Sequence, residues 1–298
     1  MMQRQGDIGI EQLCALAGVS RSGYYRQWQA SVPGEEESEL RDAVQRIALG
    51  QRHYGHRRIA AELKRSGWPV NKKRILRIMR EDNLLCVPKR AFAPPTTDSR
   101  HGWRVYPNLA RHLIPMAMNQ LWVADITYVR LAEQFVYLAV VLDAYSRRVI
   151  GWNLADHLQA SLALRALEMA IASREIVPGS LVHHSDRGVQ YACGDYVERL
   201  KQAGIEPSMS RVGCPWDNAM AESFMKTLKS EEVDGRDYRD LADAQTAIGG
   251  FIETVYNRQR LHSALAYRPP QEFESVQPRV PGPGHAQTPE LPSLSTRA

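Results

Sequence analysis

Three carboxylates occupy places in the sequence where acidic side chains can do chemistry. Asp125 lies inside the apolar run WVADITYV, where an unpaired carboxylate is costly to bury, Asp186 follows the short run LVHHS, and Glu222 lies near the start of a predicted helix. Converging carboxylates repel one another unless they are protonated or neutralised by cations. Their hard oxygen atoms favour Mg²⁺ or Mn²⁺, and two such ions can activate the attacking oxygen and stabilise the leaving oxygen of a phosphodiester.

Each of these acids also has an ordinary structural interpretation, which is the more common one when the residue is taken singly. Asp125 could be a hydrogen-bonded core residue, Asp186 a turn residue and Glu222 part of a solvated helix face. The chemistry therefore depends on whether the fold brings the three together.

The region that must position the acids reads as a mixed sheet. Three runs rich in β-branched and aromatic residues, 120–131, 134–145 and 147–154, are separated by two residues or fewer and predict an antiparallel meander. The elements predicted after them are a helix at 161–175, a strand at 181–185, a helix at 188–204, a strand at 206–210 and helices at 218–232 and about 241–257. This order predicts an α/β sheet covered on both faces, in which the first and fourth strands can be neighbours.

The positive charge of the chain is concentrated before the sheet. Residues 1–120 contain 20 Lys and Arg against 11 Asp and Glu, and residues 51–90 contain 12 against three, although the whole chain has a net charge of only +5. Such a basic block is typical of a protein that binds a phosphate-rich partner. A solvated basic helix face is the alternative.

The basic block has the pattern of a helix-turn-helix. A helix around Ile59 and Leu63 is followed by a break at SGWPV, and Asn71 is predicted to cap a second helix that buries Ile75 and Ile78. The predicted DNA-binding residues are Lys72, Lys73, Arg74, Arg77 and Arg80 on the second helix and Arg57 and Arg58 on the first. An ordinary helical pair that happens to be basic is the competing interpretation.

The remaining N-terminal pattern predicts further helices and linkers. Residues 8–28 indicate two helices with Gly18 in the turn and Ser20 as a cap, and the acidic run 31–39 indicates a linker. The proline-rich stretch 88–108 indicates a second linker.

Cysteine usage and hydropathy favour a soluble, intracellular protein. The four cysteines form no CxxC pair, and no apolar run is long enough to span a membrane. We expect a cytoplasmic protein with no membrane partner.

Two histidine pairs are weaker candidates for chemistry. His183 and His184 precede Asp186, but adjacent side chains of a strand point to opposite faces, so at most one of them can face the acids. His53 and His56 lack the cysteines that would complete a zinc site, so no zinc is predicted.

Two further polar groups flank predicted helices. Asp217 and Asn218 are predicted to cap the helix of Glu222. The group that follows the last predicted helix could contact DNA or close the domain; it consists of Tyr256, Asn257, Arg260 and His262.

Five ordered motifs resemble a known family. WVADITYV, LDAYSRRVIGW, HSDRGVQY, SMSRVGCPWDNAMAESFMKTLKSEE and YNRQRLHSALAYRPPQEF are similar to the OrfB transposases of the insertion-sequence-three family, within the retroviral-integrase superfamily. The 35 residues between Asp186 and Glu222 match the D-D-35-E spacing of that superfamily, and the resemblance covers about residues 38–275. Ala266 is a departure, because the family commonly has glycine there.

The resemblance implies a ribonuclease-H-like catalytic domain that cleaves and joins DNA. It implies that Asp125, Asp186 and Glu222 hold two Mg²⁺ or Mn²⁺ ions, and that Lys229, seven residues after the glutamate, is the basic residue of the family and contacts DNA. The partners it implies are the terminal inverted repeats of an insertion element, target DNA, an OrfA-type protein and further copies of the chain. In a bacterial cytoplasm the protein would be associated with the nucleoid when bound to DNA.

We therefore expect an all-α DNA-binding region followed by an α/β catalytic core. The expected segments are a helix-turn-helix-like segment at 1–30, a basic helix-turn-helix domain at 38–90, a linker at 91–112, the integrase catalytic domain at 113–275 and a disordered tail at 276–298. Two other functions remain open: a structure-selective nuclease that cleaves without joining, and a DNA-binding regulator with an inactive catalytic domain.

Overall fold

The computed structural model describes residues 9–28, 35–86, 104–211 and 215–276. The chain divides into two compact units, Met1–Cys86 and Val87–Ala298. Most of the predicted linker and the predicted tail lie outside the described residues. Within them, every helix is too short or too polar to span a lipid bilayer.

The first unit is all helical. Its helices are α1 (Ile10–Leu16), α2 (Arg21–Trp28), α3 (Glu35–Gly50), α4 (His56–Arg65) and α5 (Lys72–Glu81). The predicted local signals are confirmed: Gly18 turns the chain with a φ of 62°, the Ser20 hydroxyl accepts from the backbone N–H of Gly23 at 3.0 Å, and Asn71 accepts from the N–H of Lys73 at 2.8 Å.

The prediction of an acidic linker that ends at Glu39 was wrong, because α3 begins at Glu35. Acidic residues are favourable in the first turn of a helix, where they face the positive end of its dipole. Glu37 gains further partners there, since its carboxylate binds Arg74 at 2.5 Å and Arg77 at 2.9 Å. The acidic residues that indicated a linker therefore include Glu37, whose ion pairs join α3 to α5.

The second unit is built on a five-stranded mixed sheet. Its strands are β1 (Leu121–Arg130), β2 (Phe135–Asp143), β3 (Val149–Ala155), β4 (Leu181–Ser185) and β5 (Ile205–Met209), in the order β3-β2-β1-β4-β5. The predicted antiparallel meander is confirmed for the first three strands, and β1 runs parallel to β4 as its neighbour. The predicted adjacency of the first and fourth strands is therefore correct.

Helices cover both faces of this sheet. They are α6 (Ala160–Ala172), α7 (Val189–Ala192), α8 (Gly194–Gln202), α9 (Ala219–Leu228), α10 (Leu241–Gly250) and α11 (Pro270–Ser275). The single helix predicted at 188–204 is two helices, because Cys193 is extended with a ψ of 150°. The helices predicted to end at about 232 and 257 change to π-helices at Lys229–Val233 and Phe251–Gln259.

Two hydrophobic clusters form the core, one on each face of the sheet. The first joins alternate residues of the strands to α9 and α10, and the second joins the intervening residues to α6, α7 and α8. At Gly151 the backbone of α6 is so close that a β-carbon would lie 2.1 Å from the carbonyl oxygen of Ala166. Glycine at position 151 therefore allows α6 to pack closely against β3.

The last described helix is tied back to the sheet region. The carboxylate of Glu274 accepts from Ser146 at 2.7 Å, from Arg148 at 2.7 Å and from Arg174 at 2.5 Å. Asn257 bonds both the N–H and the carbonyl of Val149, at 3.1 and 3.0 Å. The second unit is thus closed by residues near the end of the described chain.

Candidate active site

Asp125 lies in β1 just past the part of that strand that pairs with β4. Only Leu121 to Val123 are in register with β4, and Asp125 is paired on its other side with Val140 of β2. The side chain is half-buried, and its carboxylate accepts from the N–H of Ile126 at 3.0 Å. Asp125 shares its sheet face with Val123, in the cluster that packs against α9.

Asp186 is the first residue after β4, so it lies near the same edge of the sheet. Its carboxylate accepts from the N–H of Gly188 at 2.9 Å and orders the turn that leads into α7. The side chain is half-buried. Asp186 is therefore a turn residue, as the structural interpretation predicts, and it also lies close to Asp125.

Glu222 lies in the first turn of α9 with an exposed side chain. The buried residues Ala221, Phe224, Met225 and Leu228 hold the helix against the sheet face of Asp125. The amide of Asn218 donates to the carbonyl of Ala124 at 3.0 Å, which fixes the start of α9 next to Asp125.

The prediction that Asp217 and Asn218 cap α9 was wrong, because Asn218 makes no side-chain capping bond and its amide donates to a carbonyl of β1. The carboxylate of Asp217 instead accepts from the backbone N–H and the guanidinium of Arg211 and from the amide of Asn108. These donors hold the pKa of Asp217 well below its usual range.

The electrostatics of Asp125 report the proximity of the other two acids. Burial, and after it the negative charges of Asp186 and Glu222, raise the pKa of Asp125 to about 8 against the opposing effects of the Ile126 N–H and the charge of Lys229. Among the described residues, however, no three His, Cys, Asp or Glu side chains are arranged to hold one metal ion. Asp186 and Glu222 therefore lie close enough to Asp125 to interact with it electrostatically, but the three side chains are not arranged to coordinate one metal ion.

Lys229 follows α9 directly and is half-buried. Its ammonium lies against the ring of Tyr128 in β1. Burial lowers the pKa of Lys229, while the charges of Asp234 and Asp125 raise it. The two glutamates that follow Lys229 have other partners, since Glu231 binds Arg260 and Glu232 binds Arg236.

Both histidines of β4 are buried and hydrogen-bonded. His183 pairs with the hydroxyl of Tyr196 at 3.0 Å, and His184 lies between the hydroxyls of Ser208 and Ser210. Burial lowers the pKa of His183 to about 3 and that of His184 to about 4, so both are neutral at pH 7.

The C-terminal polar group closes the domain. Tyr256 and Asn257 lie inside the second π-helix rather than after it, and both are buried. Arg260 binds Glu231 at 2.7 Å and lies over the ring of Tyr256, which also meets His262 edge to face. Of the two predicted alternatives, the structure favours closure of the domain over contact with DNA.

The predicted DNA-binding cations of α5 fall into two classes. Lys72, Lys73 and Arg80 are exposed. Arg74 and Arg77 bind Glu37 of α3, and Arg77 also binds Glu81 at 3.0 Å. On α4, Arg57 is exposed and Arg58 lies over the ring of Tyr54. Two of the five cations of α5, Arg74 and Arg77, therefore join α5 to α3.

Comparisons with known families match both units. Residues 35–92 match a family model described as an HTH-like domain, and residues 115–215 and 203–270 match two models described as integrase core domain. Together with the mixed sheet and its helices, these matches confirm the predicted integrase-like α/β core and the helix-turn-helix region before it.

Relatives among known proteins cover almost the whole chain. The insertion element IS600 uncharacterized 31 kDa protein of Shigella sonnei is 39% identical over 88% of this chain and 97% of its own length. Transposase InsF for insertion sequence IS3A of Escherichia coli (strain K12) is 34% identical over 92% of this chain and 96% of its own. A chain of the simian T-cell lymphotropic virus intasome, solved with PP2A regulatory subunit B56 gamma, has a TM-score of 0.46 at 14% identity and covers 86% of this chain and 80% of that one.

Proposed function

The chain belongs to the IS3 family of transposases, and from that premise we propose that it nicks DNA at the ends of its insertion element and joins the freed 3′-hydroxyls to target DNA. Asp125, Asp186 and Glu222 are its catalytic residues. One observation carries the proposal. Strand β1, the end of β4 and the start of α9 meet at Asp125, and the negative charges of Asp186 and Glu222 raise the pKa of Asp125.

The donor chemistry of the three acids fits Mg²⁺ or Mn²⁺. A half-buried carboxylate that feels two other negative charges is stabilised by a divalent cation, and carboxylate oxygens are the ligands that these ions prefer. Two bound ions would activate the attacking oxygen and stabilise the leaving oxygen of the phosphodiester. To share ions, the three acidic side chains must move closer together, since no three of the described side chains are arranged to hold one metal ion.

The protein's own residues bind and orient the DNA. Lys229 presents a cation near Asp125, where it can hold a DNA phosphate without contacting the ions. Exposed cations of the first unit, led by Lys72, Lys73 and Arg80, bind the phosphates of the element ends. Arg74 and Arg77 contribute to this surface less, because both bind Glu37 and each has a second acidic partner, Glu36 for Arg74 and Glu81 for Arg77.

The assembly extends beyond one chain. We propose that further copies of the chain and an OrfA-type protein join it on the terminal inverted repeats, and that it acts on DNA in the bacterial cytoplasm, at the nucleoid. We further propose that the chain is organised in five segments: a helix-turn-helix-like segment at 1–30, a DNA-binding domain at 38–90, a linker at 91–112, the catalytic domain at 113–275 and a tail at 276–298.

Isosteric replacement of each acid tests the chemistry. Asp125→Asn, Asp186→Asn and Glu222→Gln should each reduce cleavage and joining in Mg²⁺ by at least about 100-fold, because each removes an anionic ligand, while DNA binding stays within about twofold. Glu206→Gln is the matched control, since Glu206 is exposed on β5. Near-normal joining by Glu222→Gln would show that the three acids are assigned wrongly.

The products separate the competing functions. A nuclease would give cleaved ends and no joined product, and a regulator would give neither. The wild-type chain is expected to give both products from a DNA duplex that carries the end of its element.

A further inference from the structure

We propose that His184 is a positioning residue, which sets the separation of Asp186 and Glu222 by holding the end of β4 against the segment that leads to α9. This inference rests on the proposed function of the three acids. It concerns a side chain that neither binds an ion nor touches the reacting atoms.

The register of the sheet places His184 on the side of the acids. His184 is opposite Val123 in β1, which belongs to the sheet face that packs on α9, and Asp125 lies two residues further along that face. His183 is opposite Trp122 and meets Tyr191 and Tyr196 on the α6 side. Two adjacent buried histidines thus face opposite sides of one strand.

The imidazole of His184 is bonded through both nitrogens. Nδ1 lies 2.8 Å from the hydroxyl of Ser208, and Nε2 lies 3.0 Å from the hydroxyl of Ser210. The hydroxyl of Ser208 accepts from the N–H of Leu109 at 2.9 Å, so its own hydrogen can go to Nδ1 while Nε2–H donates to Ser210. All three side chains are buried, which makes the loss of any one bond costly.

Ser210 binds the residues on both sides of Asp186. Its N–H donates to the carbonyl of Ser185 at 2.9 Å, and its carbonyl accepts from the guanidinium of Arg187 at 2.7 Å. The bond from His184 to the Ser210 hydroxyl therefore reaches the residues directly before and after Asp186.

The other end of the network reaches the start of α9. Leu109, bonded to Ser208, follows Asn108, whose amide donates to the carboxylate of Asp217 at 2.8 Å. Asp217 lies in the 3₁₀ turn Pro215–Asn218, which runs directly into the helix that carries Glu222. His184 joins the two halves of this network through Ser208 and Ser210, and Arg211, which follows Ser210, joins them a second time by binding Asp217.

The expected consequence is a defect in ion binding rather than in DNA binding. Residues that orient metal ligands change metal affinity by about 10–100-fold when they are removed. His184→Ala and the milder Ser210→Ala should each weaken Mn²⁺ binding by about tenfold or more and raise the Mg²⁺ concentration for half-maximal joining by a similar factor. His184→Gln, which can donate and accept, should recover part of both losses.

The test measures Mn²⁺ binding to the full chain by electron paramagnetic resonance, together with joining as a function of Mg²⁺ concentration. His183→Gln is the matched control, because it loses a buried histidine of the same strand on the opposite face, and it should bind Mn²⁺ like the wild type. Thermal melting of each variant establishes that it is folded.

Two results would overturn the inference in distinguishable ways. If Asp125→Asn abolishes Mn²⁺ binding while folded His184→Ala and Ser210→Ala bind Mn²⁺ like the wild type, His184 does not position the acids, and the proposed function stands. If Asp125→Asn leaves Mn²⁺ binding and joining unchanged, the proposed function fails and this inference fails with it.

Discussion

The ammonium nitrogen of Lys229 lies 4.0 Å from the centroid of the Tyr128 ring. Tyr128 follows Asp125 by three residues in β1, and Lys229 follows Glu222 by seven residues, so the contact joins the two elements that carry these acids. The edge of a second ring, that of Phe135, supports Tyr128 at a centroid distance of 5.6 Å. A lysine that stacks on an aromatic ring keeps its charge near the acids without forming an ion pair.

Substitutions at both residues test whether this cation serves DNA. Lys229→Ala should reduce terminal-DNA binding and joining by about tenfold, and Lys229→Arg should be partly active, because a positive charge is enough to hold a phosphate. Tyr128→Phe should remain close to wild type, whereas Tyr128→Leu should show a weaker version of the Lys229→Ala defect. Crosslinking from position 229 to terminal DNA and joining rates provide the measurement, and wild-type joining by Lys229→Ala would contradict the assignment.

The two classes of cation on α5 should differ in their salt dependence. Each neutralised phosphate contributes about −0.9 to the slope of log K against log salt, so Lys72→Gln with Lys73→Gln should flatten that slope by about 2. Arg74→Gln with Arg77→Gln should change the slope less and should lower the melting temperature more, because those residues bind Glu37. Equal slopes for wild type and the Lys72/Lys73 double variant would show that this surface does not face DNA.

Asp125 should make the metal-free protein less stable as the pH rises. Its pKa is 3.8 ordinarily and about 8 in the folded chain, so between these values the unfolded chain releases a proton that the folded chain retains. The free energy of unfolding therefore falls with pH across that window. In EDTA at pH 8, Asp125→Asn should be more stable than the wild type by about 1 kcal/mol or more, or about 2–4 °C in Tm.

Two comparisons check the cause of that difference. The gap between Asp125→Asn and wild type should shrink as the pH falls toward 3.8 and below, because Asp125 then becomes protonated in the unfolded chain as well as in the folded one. Added Mg²⁺ should raise the Tm of the wild type and leave that of Asp125→Asn unchanged. A gap that is the same at pH 5 and pH 8 would rule out titration of Asp125 as its source.

Ala266 should be a site of backbone strain. Its φ is 53° and its ψ is 39°, the left-handed conformation that glycine adopts without cost, and Tyr267 follows with a φ of 58°. The strain of about 1–2 kcal/mol exceeds the entropy that glycine adds to the unfolded chain, so Ala266→Gly should stabilise the protein by about 0.5–1 kcal/mol. Ala242→Gly, at an exposed position of α10, should destabilise it by about 1 kcal/mol. Denaturant melts of both variants test the sign.

Local chemistry made much of the fold predictable. Runs of β-branched residues separated by two residues or fewer specify antiparallel neighbours, and they led to β1, β2 and β3 with nearly correct ends. Asn71 marked the start of α5 because its side chain offers an acceptor that the first turn needs. The three acids followed from their types and places, and their catalytic role stays a prediction.

The errors lie where distant partners decide the outcome. The acidic run before Leu40 is polar enough for a linker, and it is helical because Glu37 meets arginines about 40 residues away. Asn218 has the chemistry of a helix cap, but the carbonyl of Ala124, 94 residues earlier, takes its amide. No local pattern predicts that His184 lies between Ser208 of β5 and Ser210 just after that strand.

The bonds of Glu274 set an order of events during synthesis. Its carboxylate reaches back 100 residues to Arg174 and 126 residues to Arg148, so these ties cannot form until nearly all of the described chain has been made. At about 5–20 residues per second, roughly 10–40 s pass between completion of the first unit at Cys86 and the arrival of Glu274. A nascent or prematurely terminated chain therefore presents its basic helices well before the second unit, which carries the three acids, is complete. On the proposed function, such a fragment would bind the element ends and compete with the full chain without being able to cut them.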